Sequence, residues 1–272
     1  MPVKPEDATT VILLRKSEIA TDFEVLMVLR HANSQFVPDV YVFPGGRLDR
    51  EDCDKGWETL CRGVTPVAAR GRLDKSPSPE RALGAWVAGI RETFEEAGIL
   101  MAVRGDGSLF YPRTEEEAER FNNHRLELIN NRRSFMEMIR EESLALAADR
   151  LHYFSHWITP EALPMRYDVR FFVAEAPPWQ KALHDGVEVT KHVWRTPRAL
   201  LDESRKGRFN MVLPTLMSLE TLAKFDTIGD VIRSTRNKDI DGILTKMAEE
   251  DGNMVEYLPD GTAFKNLPPR MQ

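Results

Sequence analysis

Cysteine is almost absent from this chain: Cys53 and Cys61 are the only two in 272 residues. A disulfide framework is excluded, and two thiols so close in sequence fit a reduced compartment better than a cross-linked one. A basic excess is missing too. The formal net charge of −6 argues against binding a polyanion as the main activity, so no nucleic acid is expected as partner. No apolar run is long enough for a membrane span, no leader pattern is visible, and the last residues, Pro269-Arg270-Met271-Gln272, carry no Ser-Lys-Leu address. The expectation is a cytoplasmic protein with no membrane partner. Repeats and low-complexity segments are also lacking, and the length suffices for a proper core.

What is present is concentrated in one stretch, Arg91-Glu92-Thr93-Phe94-Glu95-Glu96-Ala97-Gly98-Ile99. Residues i, i+3 and i+4 share a helix face, so Glu92, Glu95 and Glu96 are expected to converge. Like charges crowded this way repel, and a hard divalent cation relieves the conflict. The plainer reading is a solvated acidic helix end in which Arg91 pairs with Glu95 at i,i+4.

Ser78-Pro79-Glu80 reads as the start of that helix and Gly98 as its end. Leu83, Trp86, Val87, Ile90 and Phe94 form the apolar stripe, with the three glutamates roughly opposite. Gly89 leaves room for a close backbone approach, for which the candidate is Val42-Phe43-Pro44-Gly45-Gly46, a strand running into a tight glycine turn.

Strand character marks Thr10 to Leu14, Phe23 to Leu29, Tyr41 to Phe43, Tyr153 to Ile158, Val169 to Ala174 and Val187 to Val193. From Thr114 to Ala148 the pattern is helical. It opens on a Thr114–Glu117 capping box and carries an apolar face of Phe121, Leu126, Ile129, Phe135, Met138, Ile139, Leu144 and Leu146. Leu213 to Phe225 and Asp226 to Arg236 read as helices, and Asp260-Gly261 as a hairpin turn. His152 and His156 lack the Glu that a zinc helix places directly after its first His, and are read as packing or bonding locally. Arg166 and Asp168 read as a structural ion pair or as substrate contacts.

Phe43-Pro44-Gly45-Gly46 followed by Arg91 to Ile99 resembles the box of the Nudix hydrolases, G-x5-E-x7-R-E-U-x-E-E-x-G-U. Thr93 stands where an aliphatic residue is usual, and a long insertion separates the two halves. Counting forward from Gly46 puts the early box Glu at Asp52 and counting back from Arg91 puts it at Leu83, so that position stays unassigned. A split box resembles the peroxisomal coenzyme A diphosphatase branch. Phe23 to Val28, Arg166 to Phe172, the Glu188–Trp194 spacing and Leu213-Pro214 are similar to stretches of that branch. The resemblance spans about Thr10 to Phe264. A further signature, L-L-T-x-R-[SA]-x3-R-x3-G-x3-F-P-G-G, is in register from Leu26 through Arg30 to Gly46, but His31, Gln35 and Asp39 replace its small residue, second Arg and Gly.

The resemblance implies a Nudix-type α/β/α sandwich with a mixed β-sheet, plus a helical insertion and C-terminal helices. Residues 8–210 would form the hydrolase domain, with the box split at about 50–78 and the helical insertion at about 114–148. Residues 211–272 would pack on the same domain. It implies Mg²⁺ or Mn²⁺ held by Glu92, Glu95, Glu96 and the Gly46 carbonyl, with Arg91 orienting the acids and a box glutamate or Glu188 as base. Arg30, Gly45, Gly46, Arg47, Arg166 and Asp168 would bind the substrate, a small nucleoside-diphosphate derivative: coenzyme A or acyl-coenzyme A, or else ADP-ribose, NADH or a dinucleoside polyphosphate. A catalytically silent nucleotide- or protein-binding module is the competing class, and the helical insertion leaves room for a homo-oligomer.

Overall fold

A computed structural model describes residues 2–17, 22–32, 37–73, 78–183, 189–236 and 238–265. Its centre is a mixed sheet. Strand β1 (Glu6–Lys16) runs antiparallel to β2 (Phe23–Arg30), which pairs with the short β3 (Tyr41–Val42). After Pro44 the chain does not leave the sheet: β4 (Gly45–Arg47) returns to pair with Ala8–Thr10 of β1. The split-box segment then forms two 3₁₀ turns and α1 (Pro66–Arg72), which Thr65 caps by accepting from Ala68 N. The long helix α2 (Pro79–Ala97) follows.

Next come β5 (Ala102–Val103), α3 (Glu115–Ile129), α4 (Phe135–Glu141) and β6 (Ala145–Leu146), with β6 closing on β5. Thr114 caps α3 as expected. Glu117, however, reaches back to Arg113 N rather than to the cap residue, so the box is offset by one position. The chain re-enters the sheet through β7 (His152–Ile158), β8 (Tyr167–Glu175) and β9 (Val189–Arg195), and α5 (Pro197–Arg205), α6 (Leu213–Leu222) and α7 (Ile228–Ser234) follow. Strand β10 (Ile243–Leu244) joins β7, and β11 (Lys246–Glu250), β12 (Asn253–Tyr257) and β13 (Ala263–Phe264) make a small separate sheet. The order of the main sheet is β10-β7-β8-β1-β2-β3, parallel between β1 and β8 and between β10 and β7.

Strand alternation divides the core in two. Val11, Leu13, Leu26, Phe172 and Ala174 face α2, while Ile12, Leu14, Val25, Met27, Phe171 and Val173 face α6 and α7. The expected helix–sheet–helix layering is present. Of the apolar face assigned to α3 and α4, Phe121, Phe135, Met138 and Ile139 are buried, whereas Leu126 is exposed. Among the described residues no helix is long and apolar enough to cross a membrane.

Helix α2 is buried along most of its circumference, not on one stripe. Ala85, Ala88 and Gly89 lie in the core alongside Trp86 and Ile90. The close approach at Gly89 is made by β1: an added Cβ would press on Val11 and Thr9 side chains, and Thr9 Oγ1 donates to Ala85 O at 3.0 Å. The glycine turn approaches one helical turn further on, at Glu92. Thr93 keeps its buried hydroxyl satisfied by donating to Gly89 O at 2.7 Å, so the polar substitution in an aliphatic place costs little.

Candidate active site

The acids of α2 occupy an unfavourable place. Glu92, Glu95 and Glu96 lie in the last two turns, where the helix dipole is negative, and the last turn holds no basic residue of its own. The compensation comes from α3. Arg125 is buried and donates to Glu95 O (2.9 Å), Glu96 O (3.2 Å) and Leu183 O (2.7 Å), so one guanidinium caps the carbonyl end of α2. Gly98 then turns the chain at φ 68°. Sequence reading missed Arg125, because its partners are distant backbone atoms.

Arg91 is the hub. Its Nε and Nη2 donate to the two oxygens of Asp52 at 3.0 and 2.9 Å, and Asp52 is itself held by Asp49 N at 2.8 Å. Nη1 donates to Glu92 Oε1 at 2.9 Å and Glu95 Oε2 at 3.1 Å, and Nη2 also reaches Arg47 O at 3.1 Å. Of the two positions left open for the early box acid, Asp52 grips Arg91, while Leu83 is packed in the core. Arg91 pairs with Glu95 at i,i+4 and with Glu92 as well.

The three glutamates do not meet at a single point. Glu92 and Glu95 share Arg91 Nη1, whereas Glu96 Oε2 accepts from Gly45 N at 2.9 Å. The glycine turn is shaped for this: a Cβ at Gly46 would overlap the Glu92 carboxyl, and one at Gly45 would overlap the β1 backbone at Thr9. Burial pushes Glu95 up to about 8, with Glu92 and Asp52 acting in the same direction against Arg91. Burial also works against the Arg91 charge, but Glu92, Asp52 and Glu95 together hold it firmly protonated. Among the described residues no three His, Cys, Asp or Glu side chains stand ready as a ligand cage, because their oxygens are turned to Arg91 and Gly45. The donor set nevertheless fits a hard divalent cation: clustered carboxylates beside a tight glycine turn.

These groups line a cleft of about 850 Å³. Arg30, Gly45, Gly46, Arg47 and Arg166 line it too, as do His31 and Arg133, which sequence reading had not assigned to a site. Arg166 does not pair with Asp168. It donates to Thr159 O (3.1 Å) and Val3 O (2.6 Å), pinning the chain start to the sheet. Asp168 is not among the cleft-lining residues. Alternation along β8 puts Tyr167, Val169 and Phe171 in the cleft and turns Asp168 to the other face, where it meets His156 and Arg170. His156 thus bonds locally, as expected. Glu188 and Gln35 lie outside the described residues. Asp39, in the glycine place of the second signature, has φ 55°, a conformation that Asp tolerates better than most side chains.

The family model described as the NUDT19 Nudix domain matches residues 6–83 and 74–222. The acyl-coenzyme A diphosphatase NUDT19 of Xenopus laevis is 26% identical over 277 residues, covering 91% of this chain and 73% of that protein. Its namesake from Homo sapiens is 22% identical and covers 88% and 70% respectively. Among solved structures, a NUDIX hydrolase from Alicyclobacillus acidocaldarius superposes with a TM-score of 0.67 at 23% identity, over 85% of this chain and 96% of that one, and so shares its fold. With the model matching well over half its length, this chain belongs to the NUDT19 Nudix domain family and is a Nudix hydrolase.

Proposed function

We propose that the protein hydrolyses the diphosphate of coenzyme A or acyl-coenzyme A in a Mg²⁺- or Mn²⁺-dependent reaction. Water adds to one phosphorus, the bridging P–O bond breaks, and the products are (acyl-)phosphopantetheine and adenosine 3′,5′-bisphosphate. The observation that carries the reaction class is the acid-rich centre around Arg91, set against Gly45–Gly46 inside a substrate-sized cleft. Similarity to relatives named acyl-coenzyme A diphosphatase supports the substrate.

Glu92, Glu95, Glu96 and the Gly46 carbonyl would hold the ion. When bound, it supplies positive charge for the diphosphate oxygens and acidifies water. Arg91 keeps Glu92 and Glu95 side by side, and Asp52 keeps Arg91 from swinging away. Arg30 and Arg47 suit the phosphates: Arg30 Nε has no hydrogen-bond partner among the described residues, and Arg47 has only a loose pairing with Glu6 at 3.4 Å. A box glutamate or Glu188 takes the proton from the attacking water.

The test is a substrate panel of coenzyme A, acyl-coenzyme A, NADH, ADP-ribose and diadenosine polyphosphates with Mg²⁺ or Mn²⁺. Preferred cleavage of the coenzyme A compounds is expected. Cleavage confined to ADP-ribose or dinucleotides would reject the coenzyme A reading, and no cleavage of any compound would favour a binding module.

A further inference from the structure

The cleft continues well past the glutamates. It crosses the sheet from β4 over β1 and β8 to β7 and β10, where Trp157, Val169, Phe171, Val212 and Pro214 form apolar walls. With neighbouring strands about 4.8 Å apart, the four steps from β4 to β10 span roughly 19 Å.

At that far end stand Glu256 on β12 and Thr245, which follows β10. Glu256 is only 3% exposed. Its Oε1 accepts from Thr245 Oγ1 at 2.6 Å. Among the described residues no arginine or lysine offsets it, so burial raises its pKa with only the threonine hydroxyl opposing. An acid buried among apolar walls with one hydroxyl for company is a poor structural device, because its desolvation outweighs what that hydrogen bond returns. Arg166, on the same side, is engaged with the Thr159 and Val3 carbonyls.

The opposite side of the cleft has the reverse character. Arg30, His31, Arg47 and Arg133 line it among Glu6, Asp49 and Glu51, and these cations suit the phosphorylated nucleotide half of a substrate. An anion at the Glu256 end would be repelled.

We infer that the far end of the cleft binds the uncharged, amide-bearing arm of the substrate, with Glu256 accepting a hydrogen bond from an N–H or O–H of that arm. This rests on the coenzyme A reading above. The pantetheine arm has the required chemistry, apolar methylenes interrupted by amides and a hydroxyl. Its reach also matches: about thirteen bonds from phosphorus to sulfur, at about 1.2 Å of advance per bond in an extended chain, give roughly 16 Å.

Calorimetric titration of the full chain with phosphopantetheine and, separately, adenosine 3′,5′-bisphosphate, both with Mg²⁺ present, tests the assignment. Glu256→Met should weaken phosphopantetheine binding about tenfold or more, the effect of one hydrogen bond to a charged group. It should leave the bisphosphate unaffected and hold or raise Tm, since an uncompensated buried acid has been removed. Glu256→Gln, which keeps an acceptor, should recover most of the affinity. Unchanged phosphopantetheine binding in Glu256→Met, or a loss that falls on the bisphosphate instead, overturns the assignment. Failure of the unmodified protein to cleave coenzyme A is a different result, and removes the substrate reading itself.

Discussion

Two clusters of arginine and carboxylate lie at opposite ends of α2, and they are balanced differently. At the N-terminal end, Arg81 and Arg170 meet Asp7 at 2.5 and 2.7 Å, and Arg170 also meets Asp168 at 3.0 Å, with His156 bonded to the same aspartate. Two guanidiniums there serve two carboxylates. At the C-terminal end Arg91 faces Asp49, Asp52, Glu92 and Glu95, with Glu96 turned to a backbone amide. The first cluster is complete and ties β1, β8 and α2 together. The second gathers four carboxylates around one guanidinium among the described residues, the arrangement that the proposed cation site would use. Charge balance, more than burial, separates the first cluster from the proposed catalytic one.

The comparison is broken most forcefully by single substitutions on each side. Glu92→Gln should cut metal-dependent kcat/KM by about a thousandfold, the loss of several kcal/mol of charge stabilisation, with Tm almost unchanged. Arg170→Met should do the opposite, destabilising by about 1–3 kcal/mol in urea titrations because the part-buried Asp7 and Asp168 lose a charged partner, while folded molecules keep kcat/KM within about twofold. Equal effects of the two variants on activity would erase the distinction. Asp52→Ala should show both faces at once: about 3 kcal/mol of stability from a broken buried pair, and about 10–100-fold in activity from a loosened Arg91.

A pH series sharpens the same contrast. Glu95 in the folded protein is pushed up to about 8, above its unfolded range, so folding takes up a proton there. Without metal, this group's contribution to stability is present at low pH and lost as pH rises from the ordinary carboxylate range through about 8. Metal binding at the proposed site would displace that proton, so Mn²⁺ affinity should climb over the same window and level off above it. Glu95→Gln should flatten both curves. The smallest effect belongs to Asp168→Asn, which should cost about 1–2 kcal/mol and leave activity untouched, since the residue faces away from the cleft.

The sequence was most legible where one element carries its own punctuation. Ser78 and Pro79 at one end of α2 and Gly98 at the other bracket the helix as read, and the core strands follow their apolar runs. Thr65-Pro66 and Thr196-Pro197 carry the same start signal for α1 and α5, and Asp251-Gly252 marks the turn of the β11–β12 hairpin; these went unread although the chemistry was there. What could not be read is what depends on contacts far apart in the chain. The choice of Asp52 over Leu83 needed Arg91 beside it, Arg125 bonds only to distant carbonyls, and Glu256 enters the cleft from the far edge of the sheet. The surroundings of Asp168 could not be read because a strand's two faces cannot be told apart until its neighbours are known.

The most direct test of the acid-rich centre is phosphorus NMR of coenzyme A incubated with the protein and Mg²⁺ or Mn²⁺, alongside Glu96→Gln. The expected result is loss of the diphosphate signals, with phosphopantetheine and adenosine 3′,5′-bisphosphate appearing only with the metal and only with the unaltered chain. Near-normal conversion by a folded Glu96→Gln, or conversion that persists in a chelator, would contradict the assignment of Glu92, Glu95 and Glu96 as the catalytic centre.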